Sequence, residues 1–393
     1  MKYNFDEVID RSGNHSAKYD ERIKKFGTDK VIPLWIADMD FRTAQCVIDA
    51  LIARAGEGIW GYTARPDSYF DAICDWQKRR NGWEIDRALV SFSPGVVQTI
   101  SAAVRLFTPE GGSVLIQTPV YSEFYDMAEA WNRRVLENAF VHTPQGWKPD
   151  WEDFEEKLRQ ADLFLLCNPH NPLGRVWTME ELAHMTRLCM KYHVPMLSDE
   201  IHSDLIFHGK RHTPAALSTP EAASYVMTAI SGTKTFNLAG LQASTVVFPN
   251  AHKKAVFDGY WMKMDIHRNN AFSLTAMEAA FSEGGEEWLE QLLPYISENF
   301  DFVVDYCRQY IPEIKTYAPD ATYLMWLDCR ALGLSNKELH DFMIEKAGLG
   351  LNDGCSFGRS LEGYMRLNAA CPRSLLEQAM KQLKEAADEI RGR

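Results

Sequence analysis

The sequence predicts an α/β protein with a mostly parallel central sheet, helices on both faces of that sheet, and a second, smaller α/β domain. Two observations support this prediction. Short apolar runs alternate with helical patterns along the chain, which is typical of parallel strands joined by crossover helices. The 393 residues also exceed the length at which a single hydrophobic core stops growing, which indicates two domains.

Five mainly apolar runs are predicted to be buried strands, because they do not alternate regularly between apolar and polar residues. They cover residues 113–117, 163–167, 194–197, 225–230 and 245–248. Their length of four to six residues is typical of strands. We therefore expect a sheet that is covered on both faces.

Helical patterns with recognisable ends lie between and after these runs. Thr178 to Glu181 form a capping-box pattern ahead of an apolar stripe, and apolar residues recur at helical spacing from Ser374 onward. The predicted domains are an N-terminal arm with part of the small domain in 1–45, a large ligand-binding domain in 46–286, and a small C-terminal domain in 287–393.

The first forty residues look rich in loops and leave two interpretations open. Trp35, Asp38, Asp40 and Phe41 could form an arm over a cleft, or they could simply pack against the rest of the chain. Periodicity alone favours packing.

Composition excludes several classes of function. The net charge of −12, without a long run of Lys or Arg, argues against nucleic acid or an anionic membrane as a partner. The 8 cysteines are scattered without a C-x-x-C pair, which indicates reduced core residues and gives no sign of a metal site. An apolar leader and an apolar run long enough to cross a membrane are both missing. We expect a cytoplasmic protein that acts on small molecules.

Lys234 is the first candidate for a catalytic residue. It follows a predicted strand and has small and apolar neighbours in the segment from Ala229 to Gly240. Desolvation lowers the pKa of an ammonium group, and a neutral amine can attack an aldehyde and later act as a base. Taken alone, a lysine that leaves a strand with its amine in water is more common.

Two further segments follow predicted strands and carry polar side chains. Asp199 follows the run 194–197, where open α/β sheets bind ligands, and a buried carboxylate there could keep a ring nitrogen protonated. Asn171, in the run Asn-Pro-His-Asn-Pro, could donate its amide to a phenolate oxygen. In isolation the first is more often a helix cap and the second a turn.

Three more segments supply groups for the rest of a ligand. Gly95 and Val96 precede a helical pattern whose first N–H groups could hold a phosphate. Tyr121 offers an aromatic face to a planar ring. Arg366 lies in an apolar run and could bind an α-carboxylate with two parallel hydrogen bonds. Each has an ordinary alternative, namely a plain helix start, a core tyrosine and a structural salt bridge.

In combination, these segments resemble the motif series of the fold-type I pyridoxal 5′-phosphate (PLP) enzymes, the aspartate aminotransferase superfamily, over nearly the whole chain. The matching residues are Gly95, Tyr121, Asn171, Asp199, Lys234 and Arg366. Within that superfamily the chain is most similar to the cystathionine β-lyase and cysteine desulfhydrase branch. That similarity lies in the segments Trp35 to Phe41, Asp199 to His202 and Ser231 to Asn237.

The resemblance implies that PLP is the cofactor and that 46–286 is the domain that binds it. Lys234 would form the Schiff base and move protons, and Asp199 would face the pyridine nitrogen. Asn171 would face O3′, near His202, which stands where many members have a tyrosine. Tyr121 would stack on the ring and take part in catalysis.

Phosphate binding is implied for three residues of the same chain and one of a second chain. Ser231 and the amides of Gly95 and Val96 would hold the phosphate. Tyr62, in Trp-Gly-Tyr, would reach the phosphate of the neighbouring subunit. The resemblance therefore implies a homodimer with shared active sites.

The implied substrate is an amino acid, with Arg366 on its carboxylate and Ala37 as a second contact. The implied reaction is α,β-elimination from cystathionine or cysteine, which yields a thiol, pyruvate and ammonia. Gln242 and His202 depart from the aminotransferase pattern, which often has arginine and tyrosine there, and both favour the lyase. A class I/II aminotransferase is the alternative. A catalytically idle regulatory or binding protein is less favoured, because both Lys234 and Asp199 are present.

Overall fold

The computed structural model describes residues 2–143, 146–266 and 268–392. These residues form two compact units. The smaller unit contains the segment that ends at Arg42, the segment Asn171–Arg175, and the chain from Glu290 onward. The larger unit contains Thr43–His170 and Val176–Leu289. The division into functional domains at 45 and 286 stays a prediction.

Fourteen strands are present in the described residues. They are β1 (Ile32–Pro33), β2 (Val90–Ser93), β3 (Ser113–Thr118), β4 (Arg134–Ala139), β5 (Val141–Thr143), β6 (Gly146–Lys148), β7 (Leu163–Cys167), β8 (Met196–Asp199), β9 (Val226–Ile230), β10 (Ser244–Val247), β11 (Leu324–Asp328), β12 (Leu349–Gly350), β13 (Asn352–Asp353) and β14 (Tyr364–Asn368).

Thirteen α-helices accompany them in the same residues. They are α1 (Ala17–Asp20), α2 (Arg22–Phe26), α3 (Gln45–Gly56), α4 (Asp67–Asn81), α5 (Val96–Phe107), α6 (Glu123–Ala130), α7 (Trp151–Leu158), α8 (Met179–Tyr192), α9 (Ala251–Lys263), α10 (Ala271–Ala280), α11 (Glu283–Tyr310), α12 (Asn336–Asp341) and α13 (Arg373–Arg391). A π-helical turn, Phe342–Lys346, continues α12.

The central sheet of the larger unit confirms the predicted fold class. Its strands, among the described residues, lie in the order β2, β10, β9, β8, β7, β3, β4. The strands β4, β3, β7, β8 and β9 are parallel, and β10 runs antiparallel to both β9 and β2. The carboxyl ends of β7, β8 and β9 therefore meet at one edge, with Cys167 opposite Asp199 and Asp199 opposite Ala229.

The predicted elements agree closely with the observed ones. The differences are in the strand predicted at 194–197 and in the N-terminal segment. The capping box at Thr178 is confirmed, with both reciprocal hydrogen bonds present. The strand predicted at 194–197 begins at Met196 and ends at Asp199, because His193 closes α8 in a left-handed conformation (φ 57°) and Pro195 has no N–H to donate. The loop-rich N-terminus contains two short helices and β1.

The core of the larger unit lies where α5 and α6 cover the sheet. Ile116, Leu165 and Leu197, from three neighbouring strands, are at most 1% exposed and pack in one cluster with Ile100 of α5 and Phe124 of α6. This contiguous apolar layer is what the unbroken apolar runs predict, since a parallel sheet is buried on both faces. It makes the sheet a rigid support for the residues at its edge.

The smaller unit is built on a short antiparallel sheet in which β14 lies between β11 and β13. Arg366 stands at the centre of β14, opposite Trp326 of β11 and Asn352 of β13. The strands β1 and β12 form a separate parallel pair. None of the eight cysteines, all within the described residues, forms a disulfide, and five of them are buried. Among the described helices, none combines the length and the apolar character that crossing a bilayer requires.

Replacing Ile116 by Ala tests the packing of the sheet. Ile116 is 0% exposed, so the free energy of unfolding should fall by about 2–5 kcal/mol through lost burial and a residual cavity. The matched control is Ile23→Ala, at a position that is 62% exposed, for which we expect a change within about 0.5 kcal/mol. Urea unfolding measures both, and equal effects would contradict the packing described.

Candidate active site

Four predicted site segments of the larger unit follow strands at the same edge of the sheet. Gly95 and Val96 follow β2, Tyr121 follows β3, Asp199 ends β8, and Lys234 follows β9. The register aligns these strand ends, because Ser244 of β10 pairs with Ser93 and Thr245 pairs with Ile230. The fold thus brings to one edge residues that are far apart in sequence.

The buried Asp199 carboxyl group has a strongly shifted pKa. It is 5% exposed and accepts a hydrogen bond from the Ile201 amide at 3.1 Å. Burial raises the pKa of Asp199 to about 7, and the neighbouring Glu200 adds to this effect. The Ile201 amide and the Lys234 ammonium lower that pKa, but by less. Asp199 and Lys234 are therefore close enough to interact electrostatically, and Asp199 is suited to hold a cation.

Lys234 is half-buried in the turn after β9, and hydrogen bonds fix the turn on the side of Ser231. The Ser231 hydroxyl donates to the Ala243 carbonyl at 2.7 Å and lies 2.8 Å from the Thr233 hydroxyl. The Thr233 amide donates to the same Ser231 oxygen at 3.0 Å. These bonds hold the start of the turn in one conformation.

A buried carboxylate that the sequence analysis missed holds the other side of the turn. The Thr235 hydroxyl donates to Asp204 Oδ2 at 2.8 Å, and Trp76 Nε1 donates to Asp204 Oδ1 at 2.9 Å. Burial raises the pKa of Asp204. Asp204 lies five residues after Asp199, so the sequence could have indicated a second carboxylate near the end of this strand. Nothing in the sequence indicated that Trp76 of α4, 128 residues away, donates to this carboxylate.

A second missed carboxylate, Glu200, links the segments around Asp199. It is 0% exposed. Its oxygens accept from the Ser198 hydroxyl and the Ala215 amide, both at 2.8 Å, and from Asn168 Nδ2 at 3.3 Å. His212 Nε2 lies 2.8 Å from its other oxygen. Glu200 therefore ties the end of β8 to the segments after β7 and around 212–215.

The first turn of α5 has the chemistry of an anion site. Gly95 occupies the N-cap position and Val96 is the first helical residue. The N–H groups of a first helical turn have no partner within the helix and point outward along its axis. A Cβ atom on Gly95 would contact Oε1 of Gln98, the movable end of that side chain.

The remaining predicted residues of the larger unit differ in exposure. Tyr121 is half-buried and packs against the core cluster, directly after the buried Val120. His202 is 3% exposed, in the turn after β8. Tyr62 is 94% exposed in the loop between α3 and α4, with the Arg268 guanidinium 5.2 Å from its ring centre. Tyr62 is thus available to a second chain.

In the smaller unit, Arg366 is held on three sides. It is 3% exposed. Its Nη1 donates to Asn171 Oδ1 at 3.2 Å and its Nη2 donates to the Trp35 carbonyl at 2.7 Å. Its guanidinium carbon lies 4.7 Å from the ring centre of Phe357. The structure therefore brings together two predicted site residues, Arg366 and Asn171, and fixes the orientation of both.

Ala37, the other predicted substrate contact, lies in the same unit. Its carbonyl accepts a hydrogen bond from the Tyr323 hydroxyl at 2.8 Å. The neighbouring Trp35 is the residue whose carbonyl receives Arg366. Ala37 and Arg366 are therefore connected through a short stretch of backbone. Tyr323 itself was not predicted, since an isolated tyrosine gives no sequence signal.

The sequence profile of the family described as aminotransferase class I and II matches residues 29–383. This match covers most of the chain. The chain belongs to this family. The prediction of the superfamily is therefore confirmed.

Individual relatives cover almost the whole chain. Cystathionine beta-lyase PatB of Bacillus subtilis (strain 168) is 41% identical over 385 residues, which cover 98% of this chain and 99% of PatB. The crystal structure of cystalysin from Treponema denticola, which contains a pyridoxal 5′-phosphate cofactor, has 31% sequence identity and a TM-score of 0.95. It covers 99% of this chain and 100% of cystalysin.

A third relative carries a different description. A PLP-bound protein from Clostridium difficile 630, described provisionally as an aminotransferase, has a TM-score of 0.96 and 44% identity, and covers 98% of this chain and 100% of its own. These structures confirm the predicted fold. The roles of individual site residues stay predictions.

The raised pKa of Asp199 predicts how the stability of the cofactor-free protein depends on pH. A carboxyl group that titrates near 4 when unfolded and near 7 when folded binds more protons in the folded state between these values. The free energy of unfolding should therefore fall as the pH rises through this window. The variant Asp199→Asn should lack this fall and be more stable than the native protein at pH 8, by on the order of a few kcal/mol.

Urea unfolding from pH 5 to pH 8 measures this difference. It should grow with pH and level off above about pH 7. A difference that stays constant across the range would show that Asp199 is not a buried group with a raised pKa.

Proposed function

We propose that the protein is a PLP-dependent carbon–sulfur β-lyase that cleaves cystathionine or cysteine-type substrates to a thiol, pyruvate and ammonia. The observation that carries this proposal is the buried Asp199 carboxylate beside Lys234 at the carboxyl edge of the sheet. The name of PatB, and the cystathionine beta-lyase names of relatives at 30–31% identity in Corynebacterium glutamicum, Mycobacterium leprae and Mycobacterium tuberculosis, favour the lyase over the aminotransferase.

The residues at the sheet edge fit PLP in charge and in hydrogen-bonding chemistry. Asp199 is suited to hold a protonated pyridine nitrogen, because a nearby cation removes the cost of ionising it inside the protein. The amides of Gly95 and Val96, with the Ser231 hydroxyl, are suited to the phosphate dianion. Bound PLP supplies an electron sink for the negative charge that develops at the substrate Cα.

The proposed catalytic steps belong to Lys234. Its amine holds the cofactor and, when the amine of the substrate takes its place, removes the Cα proton as the general base. The turn that carries Lys234 is fixed at both sides, by Ser231 and by Thr235. A fixed turn keeps the amine within reach of one proton and limits transfer to other atoms. Tyr121 covers one face of the ring.

Substrate and O3′ binding are proposed for the groups around Arg366. Asn171 Oδ1 accepts from Arg366, so the amide is oriented and its Nδ2 is the group that donates to O3′. Arg366, with Ala37 beside it, binds the α-carboxylate. Its guanidinium is planar and always charged, which suits a carboxylate.

A homodimer is part of the proposal. Ile59, Trp60 and Tyr62 lie in one loop and are 79%, 58% and 94% exposed. Burying the apolar surface of such a loop against a second chain is energetically favourable. We place Tyr62 of each chain at the phosphate of the other. We also place the protein in the cytoplasm, where cysteines outside disulfides, such as these, stay reduced.

Release of pyruvate and ammonia from L-cystathionine tests the function. Purified protein is supplied with PLP and no keto-acid acceptor, and Lys234→Ala is the inactive control. Sustained release of both products supports the lyase. Conversion of the cofactor to its pyridoxamine form without pyruvate release would establish the aminotransferase instead.

Replacing Arg366 by Lys should separate substrate binding from chemistry. Lysine keeps the charge but loses the two-pronged geometry, so the KM for L-cystathionine should rise about 10- to 100-fold with a smaller change in kcat. Steady-state kinetics measures both constants. An unchanged KM would show that the carboxylate binds elsewhere.

Mixed dimers test the shared site. A dimer of one Lys234→Ala chain and one Tyr62→Ala chain has one site with both defects and one native site. Equal mixing after dissociation should therefore restore about a quarter of the native activity, although each variant alone has little. If activity does not return while mixed dimers form, Tyr62 does not serve the neighbouring chain.

A further inference from the structure

The backbone of residues 35–40 is bonded to the strand that carries Arg366. The Trp35 carbonyl accepts from Arg366 Nη2 at 2.7 Å and from Asn352 Nδ2 at 3.0 Å. Asn368, two residues after Arg366 on β14, donates its Nδ2 to two further carbonyls of this segment, at 2.7 and 2.6 Å. The position of one Arg366 nitrogen is therefore set by where this segment lies.

Two cations, Arg11 and Lys18, form ion pairs with two aspartates of the same segment. Asp40 accepts from Arg11 Nη1 at 2.6 Å and from Lys18 Nζ at 2.7 Å. Asp38 accepts from Arg11 Nη2 at 2.7 Å, and Lys18 Nζ lies 3.4 Å from its Oδ1. Arg11 also donates to the Met39 carbonyl at 3.0 Å. We call Arg11, Lys18, Asp38 and Asp40 the N-terminal charge cluster.

Burial makes this cluster sensitive to charge balance. Lys18 is 0% and Asp40 3% exposed, and the side chains of Arg11 and Asp38 are 17% and 19% exposed. Two cations face two anions, so the cluster is neutral as a whole. Buried ion pairs add little stability compared with apolar residues of the same size, but removing one partner leaves a charge that the protein cannot solvate.

The connection from the cluster to Arg366 is short. Asp38 and Asp40 belong to the segment whose Trp35 carbonyl receives Arg366. Trp35 in turn donates its Nε1 to the Lys18 carbonyl at 3.0 Å. Lys18 therefore contacts both ends of the segment, Trp35 through its carbonyl and Asp40 through its ammonium group. The cluster and an acceptor of the Arg366 guanidinium therefore lie on one stretch of backbone.

We propose that the N-terminal charge cluster is a positioning device for Arg366 and thereby sets the affinity for the α-carboxylate of the substrate. This inference rests on the proposed function in one respect only, namely that Arg366 binds the substrate carboxylate. The proposal gives residues 35–40 a role in addition to packing. Asp40, which receives both cations, is its central residue.

The variant Asp40→Asn tests the proposal with a pair of ligands. L-alanine carries an α-carboxylate, and ethylamine is the same molecule without it. Binding of each to the PLP-loaded protein is followed by the change in cofactor absorbance. We expect the Kd for L-alanine to rise about 10-fold and the Kd for ethylamine to stay within about 2-fold of the native value.

Hydrogen exchange of the cofactor-free protein gives a second readout. Peptides that cover residues 35–41 should exchange faster in Asp40→Asn, because the segment has lost part of its support. The matched control is Arg42→Ala, which breaks the exposed Arg42–Glu7 pair (62% and 43% exposed) just after the segment. This control should leave exchange and both Kd values unchanged.

The double variant Lys18→Met/Asp40→Asn restores the charge balance. It should bind L-alanine more tightly than Asp40→Asn does. Equal weakening for L-alanine and ethylamine, an unchanged Kd for L-alanine, or a double variant no better than the single one would each overturn the proposal. If the native protein shows no cofactor absorbance, the proposed function fails, and the exchange result still decides whether the cluster holds the segment.

Discussion

The arrangement of the larger unit depends on one constraint, a carboxylate that the sheet buries at its edge. Three carboxylates follow one another within six residues at the end of β8, and each is stabilised differently. Glu200 receives several fixed donors, and Asp204 receives Trp76 and Thr235. Asp199 accepts a hydrogen bond from the Ile201 amide and interacts electrostatically with the Lys234 ammonium. It is thus the carboxylate whose charge a bound cation would stabilise most, which is why a pyridinium ring suits this edge.

The other two carboxylates give Asp199 and Lys234 a rigid setting. Glu200 fastens the end of β8 to its neighbours, and Asp204 fastens the turn that carries Lys234. In the smaller unit, Arg366 is fixed in a comparable way by Asn171 and Trp35. Each chemical group is therefore placed by buried polar contacts whose loss would be costly.

Much of the fold was predictable because buried parallel strands have unbroken apolar runs, and β3, β7 and β9 lie close to where those runs are. The site residues that follow strand ends, such as Asp199 and Lys234, were predictable for the same reason. The antiparallel direction of β10 has no local signature. The contacts of Trp76 with Asp204 and of Lys18 with Asp40 join distant parts of the chain, and one sequence does not reveal such pairs.

The central claim is that Lys234 carries the cofactor beside Asp199. Borohydride reduction of the PLP-loaded protein makes the link between cofactor and lysine permanent, and peptide mass mapping then locates it. The account predicts the added pyridoxyl mass on the peptide that contains Lys234, and its loss in Lys234→Ala. A modified lysine elsewhere, or no modification in protein that shows the cofactor absorbance, would contradict it.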